Sequence, residues 1–360
     1  SHMLMGVCTR RTIGVRGGTS FACGSDVRGV GVRTCGCGQV SASVDGRGPM
    51  VVARSVAADL FYQGSLSANG LQFSTLEGVR PRPGEVRPVV LCLHGFPDHN
   101  RSFRDQIPAL TQAGYRVVAP MLRGYEPSSQ PVDDDYHVIR MVEDVLGWIE
   151  YLGALRVHLV GHDWGAVIGY QVAALAPERL LSLTTIAVPH LGHLGGALVR
   201  TPRQVRNSWY ALFFQARVVA ELAVKARDFA LIERLWRDWS PGWTCPAEEM
   251  RLVKRTLRQP GVIGAALGYY RAAFDPISRA AAQSRALAFA PISVPTLAIT
   301  GDSDGCMDTR LFDEMMRGAD FPRGLKVRRI RGAGHFVHQE QPAEVNGLLL
   351  EWLRKYDRGE

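Results

Sequence analysis

No run of about eighteen apolar residues interrupts the 360-residue chain, so no membrane-spanning helix is expected. Internal repeats are missing, and beyond the first 49 residues there is no low-complexity tract. Cysteine is sparse and irregular. Of seven, Cys8, Cys23, Cys35 and Cys37 crowd the first 49 positions, while Cys92, Cys245 and Cys306 lie far apart. An odd number at irregular spacing argues against a disulfide framework. Cys35 and Cys37 have no partner pair at finger-like spacing, which argues against a structural metal. A basic strip interleaved with aromatics is also missing, although the net charge is +8. Six arginines against two aspartates in residues 1–49 leave +4, half of that excess. The other basic residues are scattered, so the charge reads as a solvated arginine-rich surface and not as a nucleic-acid interface.

What is present is an ordinary globular balance, 46% hydrophobic and 21% charged, enough for a real core in one large or two modest domains. Ser1–Met3 have the form of an expression remnant. Residues 4–49 hold eleven glycines, few large apolar residues and no periodicity. They read as a flexible leader or an upstream extension, with Met50 or Val51 as natural starts. The stretch has no continuous apolar segment of the secretory type.

From residue 71 the texture changes. LQFSTLEG (71–78) alternates like a strand, and PVVLCLHG (88–95) is a continuous apolar run of the kind buried on both faces of a sheet. SFRDQIPAL (102–110) carries a helix start signal in Ser102 and Asp105. Further strands are expected in 115–125, 156–163 and 180–189, with helices at 141–153 and 166–177. Such alternation predicts a mostly parallel sheet flanked by helices. Residues 190–287 break it with helical texture and four of the seven tryptophans. A helical insertion between strands is the form of a lid or cap. Strands resume at 294–302 and 325–335, and a last helix is expected at 342–356. The predicted organisation is a leader at 1–49, an α/β core at 50–189 and 288–360, and a helical cap at 190–287.

The chemistry begins at LVGHDWG (159–165). Two glycines flank a central residue after an apolar run, the form of a nucleophile elbow, where serine is usual. Here the central residue is Asp163. Asp304 and His335 also follow predicted strands, and sites in open α/β sheets form at the carboxyl ends of strands. The chain order of nucleophile, acid and histidine is that of the α/β-hydrolase fold. Alone, each residue has an ordinary reading, as a helix cap, a loop aspartate and a turn histidine. Three in order at strand ends make coincidence improbable. Asp302 and Asp308 compete for the acid role. Asp304 is preferred because it is set back in GDSD, where a loop side chain can turn toward the histidine. HGFP (94–97) follows a strand, so the backbone N–H groups of Phe96 and Trp164 are candidates for an oxyanion hole. His94 reads as structural.

HGFP, RGY (123–125), GHDWG, GDSD and GAGHF together resemble the epoxide hydrolases of the α/β-hydrolase fold, over about residues 68 to 356. The resemblance implies two cap tyrosines that donate hydrogen bonds to the epoxide oxygen. SWYALFFQ offers Tyr210, and LGYYRAAF offers Tyr270 with Tyr269 beside it. Met121 stands where the family commonly has an aspartate before LRGY, a departure that touches loop packing.

A carboxylate attacks sp³ carbon by in-line displacement and leaves an alkyl ester, whereas attack on an ester or amide would leave an anhydride. The expected reaction is therefore epoxide opening to a vicinal diol. Asp163 is the nucleophile, Tyr210 and Tyr270 are acids, and His335 is the base that activates water. No metal or organic cofactor is required. The expected partner is a small apolar epoxide, a homodimer is left open, and a cytoplasmic enzyme is expected. Haloalkane dehalogenation uses the same aspartate ester, but a halide leaves without protonation and needs no phenol. A non-catalytic ligand-binding module of the same fold would have no need for the aspartate, the histidine and two tyrosines together.

Overall fold

The computed structural model of the protein describes residues 61–78, 82 and 84–357. The predicted leader at 1–49 and the candidate starts Met50 and Val51 lie outside the described residues.

Strands β1 (Tyr62–Ala68) and β2 (Leu71–Glu77) form an antiparallel hairpin. Its two-residue turn is Asn69-Gly70, both at positive φ, the conformation that matches hairpin twist and that Asn-Gly adopts readily. β1 was not expected from the sequence. Its polar alternation and partial exposure carry none of the continuous apolar signal that marks the central strands. Then follow β3 (Val89–Leu93), α1 (Gln106–Gln112), β4 (Arg116–Pro120), α2 (Val138–Tyr151), β5 (Val157–His162), α3 (Trp164–Leu175) and β6 (Leu180–Ile186). Every residue of β3 and of β5 is buried, because helices cover both faces of the sheet.

After β6 the chain runs through seven helices before returning to the sheet. They are α4 (Leu194–Arg200), α5 (Pro202–Asn207), α6 (Trp209–Phe213), α7 (Val219–Trp239), α8 (Ala247–Leu257), α9 (Val262–Ala273) and α10 (Arg279–Ala288). β7 (Thr296–Gly301), α11 (Thr309–Met315), β8 (Leu325–Ile330), α12 (Val337–Glu340) and α13 (Pro342–Tyr356) complete the fold. The eight strands of the described residues lie in the order β1-β2-β4-β3-β5-β6-β7-β8. Among the described residues, only the pairings of β2 with β1 and with β4 are antiparallel. This is the mostly parallel, helix-flanked sheet that the strand–helix alternation predicts. β8 is the far edge, and its Arg328 and Arg329 are exposed, charges that discourage pairing with another chain.

One local expectation is corrected. Ser102 does not start the helix: residues Asn100–Phe103 form a 3₁₀ turn and α1 begins at Gln106. Ser102 is buried, and its hydroxyl bonds His338 at 2.8 Å and Gln339 at 3.1 Å instead. A tertiary bond thus claims the oxygen that a cap would need. Within the helical texture at 190–287 the structure adds a break near residue 227. α7 is interrupted at Ala226–Phe229, where Arg227, Asp228 and Phe229 have positive φ.

The inserted helices are fastened to the core by specific bonds. Trp236 donates its indole N–H to the Pro97 carbonyl at 3.1 Å and stacks on Phe336 with ring centres 3.8 Å apart. Tyr269 donates to the Arg123 carbonyl at 2.6 Å. Arg101 makes a two-pronged ion pair with Glu249. No helix among the described residues is long and apolar enough to cross a membrane.

Candidate active site

Asp163 occupies the one-residue turn between β5 and α3, at φ 52° and ψ −118°. A non-glycine residue with positive φ is strained by roughly 1–3 kcal/mol. The flanking glycines make the turn possible. A Cβ on Gly161 would overlap the Gly165 carbonyl, and one on Gly165 would overlap the Leu93 carbonyl. The Asp163 carboxylate makes no cap bond to its own helix. Its Oδ1 accepts instead from the Phe96 N–H at 2.8 Å. Gly95 lets the two segments come this close, since a Cβ there would run into the carboxylate. Trp164 is the first residue of α3, a position whose N–H has no intrahelical partner.

His335 follows β8 and is fully buried. Its Nδ1 lies 3.1 Å from Asp304 Oδ2, and its Nε2 lies 3.5 Å from Asp163 Oδ2. Asp304 is fixed in turn, because its Oδ1 accepts from the N–H groups of Cys306 at 2.7 Å and Met307 at 2.9 Å. The rival aspartates are turned elsewhere. Asp302 accepts from Ser303 and Gly332, and Asp308 caps α11.

Burial opposes a charge on the His335 imidazole. Cys306, Asp304 and Asp163 outweigh it and hold the pKa well above the ordinary histidine value. Burial also pushes the Cys306 thiol up, so its proton stays on sulfur and the carboxylates carry the effect. His94 and His162 behave in the opposite way, with burial bringing each down to about 3. His94 Nδ1 faces the Gly95 carbonyl at 3.0 Å and its Nε2 accepts from Leu122 N–H at 3.1 Å. It ties the loop after β3 to the loop after β4.

Tyr210 and Tyr270 lie with ring centres 5.7 Å apart. They line one cavity of about 360 Å³ together with Asp163, Trp164 and Cys306. The remaining lining is mostly apolar, and Leu212 and Phe274, 60% and 52% exposed, mark its outer end. Burial pushes both tyrosine hydroxyls well above the ordinary phenol range, so both are protonated. Tyr269 is excluded from this role, since its hydroxyl is spent on Arg123.

The structure also brings in residues that the sequence did not single out. The Ser240 hydroxyl donates to Glu340 at 2.6 Å and accepts from His335 N–H at 3.0 Å. Glu340 accepts from Gly334 N–H at 2.8 Å. The end of α7 therefore holds the histidine loop. Cys306 Sγ lies 3.2 Å from the Tyr210 hydroxyl. No spacing pattern connects positions 240, 306 and 340, so nothing in the sequence pointed to them.

A family model described as the alpha/beta hydrolase fold matches residues 88–342. The AB hydrolase superfamily protein YfhM of Bacillus subtilis is 30% identical over 75% of this chain and 91% of its own. Epoxide hydrolase A of Mycobacterium tuberculosis is 31% identical over 80% of this chain and 96% of its own. Among solved structures, the epoxide hydrolase VrEH1 of Vigna radiata superposes with a TM-score of 0.69 at 26% identity, covering 83% of this chain and 99% of its own.

Proposed function

Since the chain belongs to the alpha/beta hydrolase fold family, we propose that it is an epoxide hydrolase that works through an alkyl ester on Asp163. The observation that carries this reading is one cavity lined by a carboxylate and two protonated phenols. A carboxylate alone would serve any displacement at carbon. Two phenols add what an epoxide needs and a halide does not, a proton for the leaving alkoxide. The residues 190–287 would form a cap that supplies both phenols.

In the first step Asp163 attacks an epoxide carbon, with its other oxygen steadied by the Phe96 amide. The C–O bond of the ring breaks, and Tyr210 or Tyr270 gives its proton to the departing oxygen. The ester that forms carries no charge on Asp163. His335 thereby loses one of the two carboxylates that hold its pKa up, so it releases its proton to solvent more readily and stands as the neutral imidazole that the next step needs. It then takes a proton from water, with the imidazolium stabilised by Asp304. The hydroxide attacks the ester carbonyl, and the oxyanion is held by the amides of Phe96 and Trp164. The tetrahedral intermediate collapses to the diol and Asp163, and the proton on His335 returns to the phenolate side through solvent. The mostly apolar cavity lining suits a small apolar epoxide.

The experiment is turnover of a styrene-oxide-like epoxide and of 1-bromobutane by the native chain and by Tyr210→Phe/Tyr270→Phe. The double variant should lose epoxide turnover by about 10²–10⁴-fold or more, the usual contribution of general acids. Activity on 1-bromobutane with none on any epoxide would favour halide displacement.

A further inference from the structure

A second chemistry is available to the residues at the base of the cavity. One carboxylate oxygen of Asp163, one ring nitrogen of His335 and the sulfur of Cys306 all lie within 4.8 Å of one another, and all three residues are buried. We infer that Asp163, His335 and Cys306 form a three-ligand site for zinc or a similar thiophilic divalent cation, whose occupancy switches hydrolysis off.

Geometry, donor type and charge support this independently. Zinc sits about 2.0–2.3 Å from nitrogen, oxygen and sulfur, so neighbouring ligands in a tetrahedral site stand roughly 3.3–3.8 Å apart. His335 Nε2 and Asp163 Oδ2 already stand 3.5 Å apart. Among the described residues the buried Nε2 has no hydrogen bond of ordinary length, only the 3.5 Å ion pair with Asp163. It therefore has a lone-pair position to give once its proton leaves. Behind it, Nδ1 faces Asp304 at 3.1 Å, the carboxylate–histidine arrangement that orients imidazole ligands. The Tyr210 hydroxyl at 3.2 Å from Cys306 Sγ can likewise bond a thiolate. A thiolate and a carboxylate neutralise the dication, as a buried site requires. The thiol proton and the Nε2 proton go to solvent, because a coordinating thiol is deprotonated outright. The open cavity leaves the fourth position to water. Bound metal would occupy both the nucleophile and the base, so it would act as an inhibitor.

The test is equilibrium dialysis of the full chain, stripped of metal by a chelator, against zinc chloride, for the native protein and for Cys306→Ser. The variant should bind about one zinc fewer per chain. Taking the difference removes any metal held by the other cysteines. Cobalt(II) in place of zinc should give a thiolate charge-transfer band in the native-minus-variant spectrum. Asp304→Asn, a positioning change, should weaken metal binding by about 10–100-fold. Equal stoichiometry in native and Cys306→Ser proteins overturns the inference. So does a cobalt difference spectrum without a thiolate band, or unchanged affinity in Asp304→Asn. None of these readouts needs epoxide turnover, so they stand or fall apart from the proposed reaction.

Discussion

Tyr269 and Tyr270 are neighbours with opposite surroundings. Tyr269 donates to a buried backbone carbonyl, whereas Tyr270 faces the cavity beside Asp163. Their phenylalanine variants should therefore fail differently. Tyr269→Phe should lower unfolding stability by about 1–3 kcal/mol, the range for a buried carbonyl left unpaired, and keep most turnover. Tyr270→Phe should keep its stability and lose turnover. Urea melts and epoxide kinetics on both variants check this, and the reverse pattern would exchange their roles. The resemblance points to Tyr270 with Tyr269 beside it, but the residues alone give no reason for the choice, because which face of α9 meets the cavity depends on how the inserted helices dock.

His335 makes a pH prediction of definite sign. Its folded pKa lies well above the ordinary value near 6.5, so the folded state holds a proton that the unfolded chain releases earlier. This contribution to stability is complete below pH 6.5 or so and is lost as pH rises through the folded pKa. Asp304→Asn removes one of the two carboxylates responsible. Its urea midpoint should fall less steeply with rising pH than that of the native protein. Parallel pH profiles in the two proteins would contradict the assignment of the shift to carboxylates.

The β5–Asp163–α3 turn concentrates the local constraints. Glycines at 161 and 165 were legible as a motif, but the reason for them was not. It lies in backbone carbonyls from the same turn and from β3, brought close only in three dimensions. The positive φ of Asp163 predicts that Asp163→Gly is more stable than Asp163→Ala by about 1 kcal/mol or more, because only glycine adopts such a conformation freely. Both variants lose the carboxylate, so their difference isolates the backbone. Equal melting of the two would mean that the turn relaxes. Elsewhere, apolar runs located the central strands well because burial on both faces is written directly into composition. β1 was missed because a half-exposed edge strand need not be apolar. Ser102 misled because a tertiary bond to His338 outcompetes a local cap.

Over the whole molecule, the sheet brings residues 96, 163, 304 and 335 to one end, and the inserted helices carry 210 and 270 to the same cavity. The core part of this was legible, since strand ends mark where loops must meet. The insert was legible only as helical texture. Its break within α7 and the grip of Ser240 on the histidine loop arise from packing that no periodicity encodes. Cys306 was visible only as an isolated cysteine, and its place beside His335 and Tyr210 comes from the loop after β7.

In the proposed reaction the epoxide carbon is attacked by Asp163 and not by water. A single turnover with the protein in excess over a styrene-oxide-like epoxide, run in ¹⁸O-water, distinguishes the two. Attack by Asp163 gives a diol without label in that first turnover, with heavy oxygen in the peptide that contains Asp163. A labelled diol and an unlabelled peptide would mean direct attack by water and would contradict it.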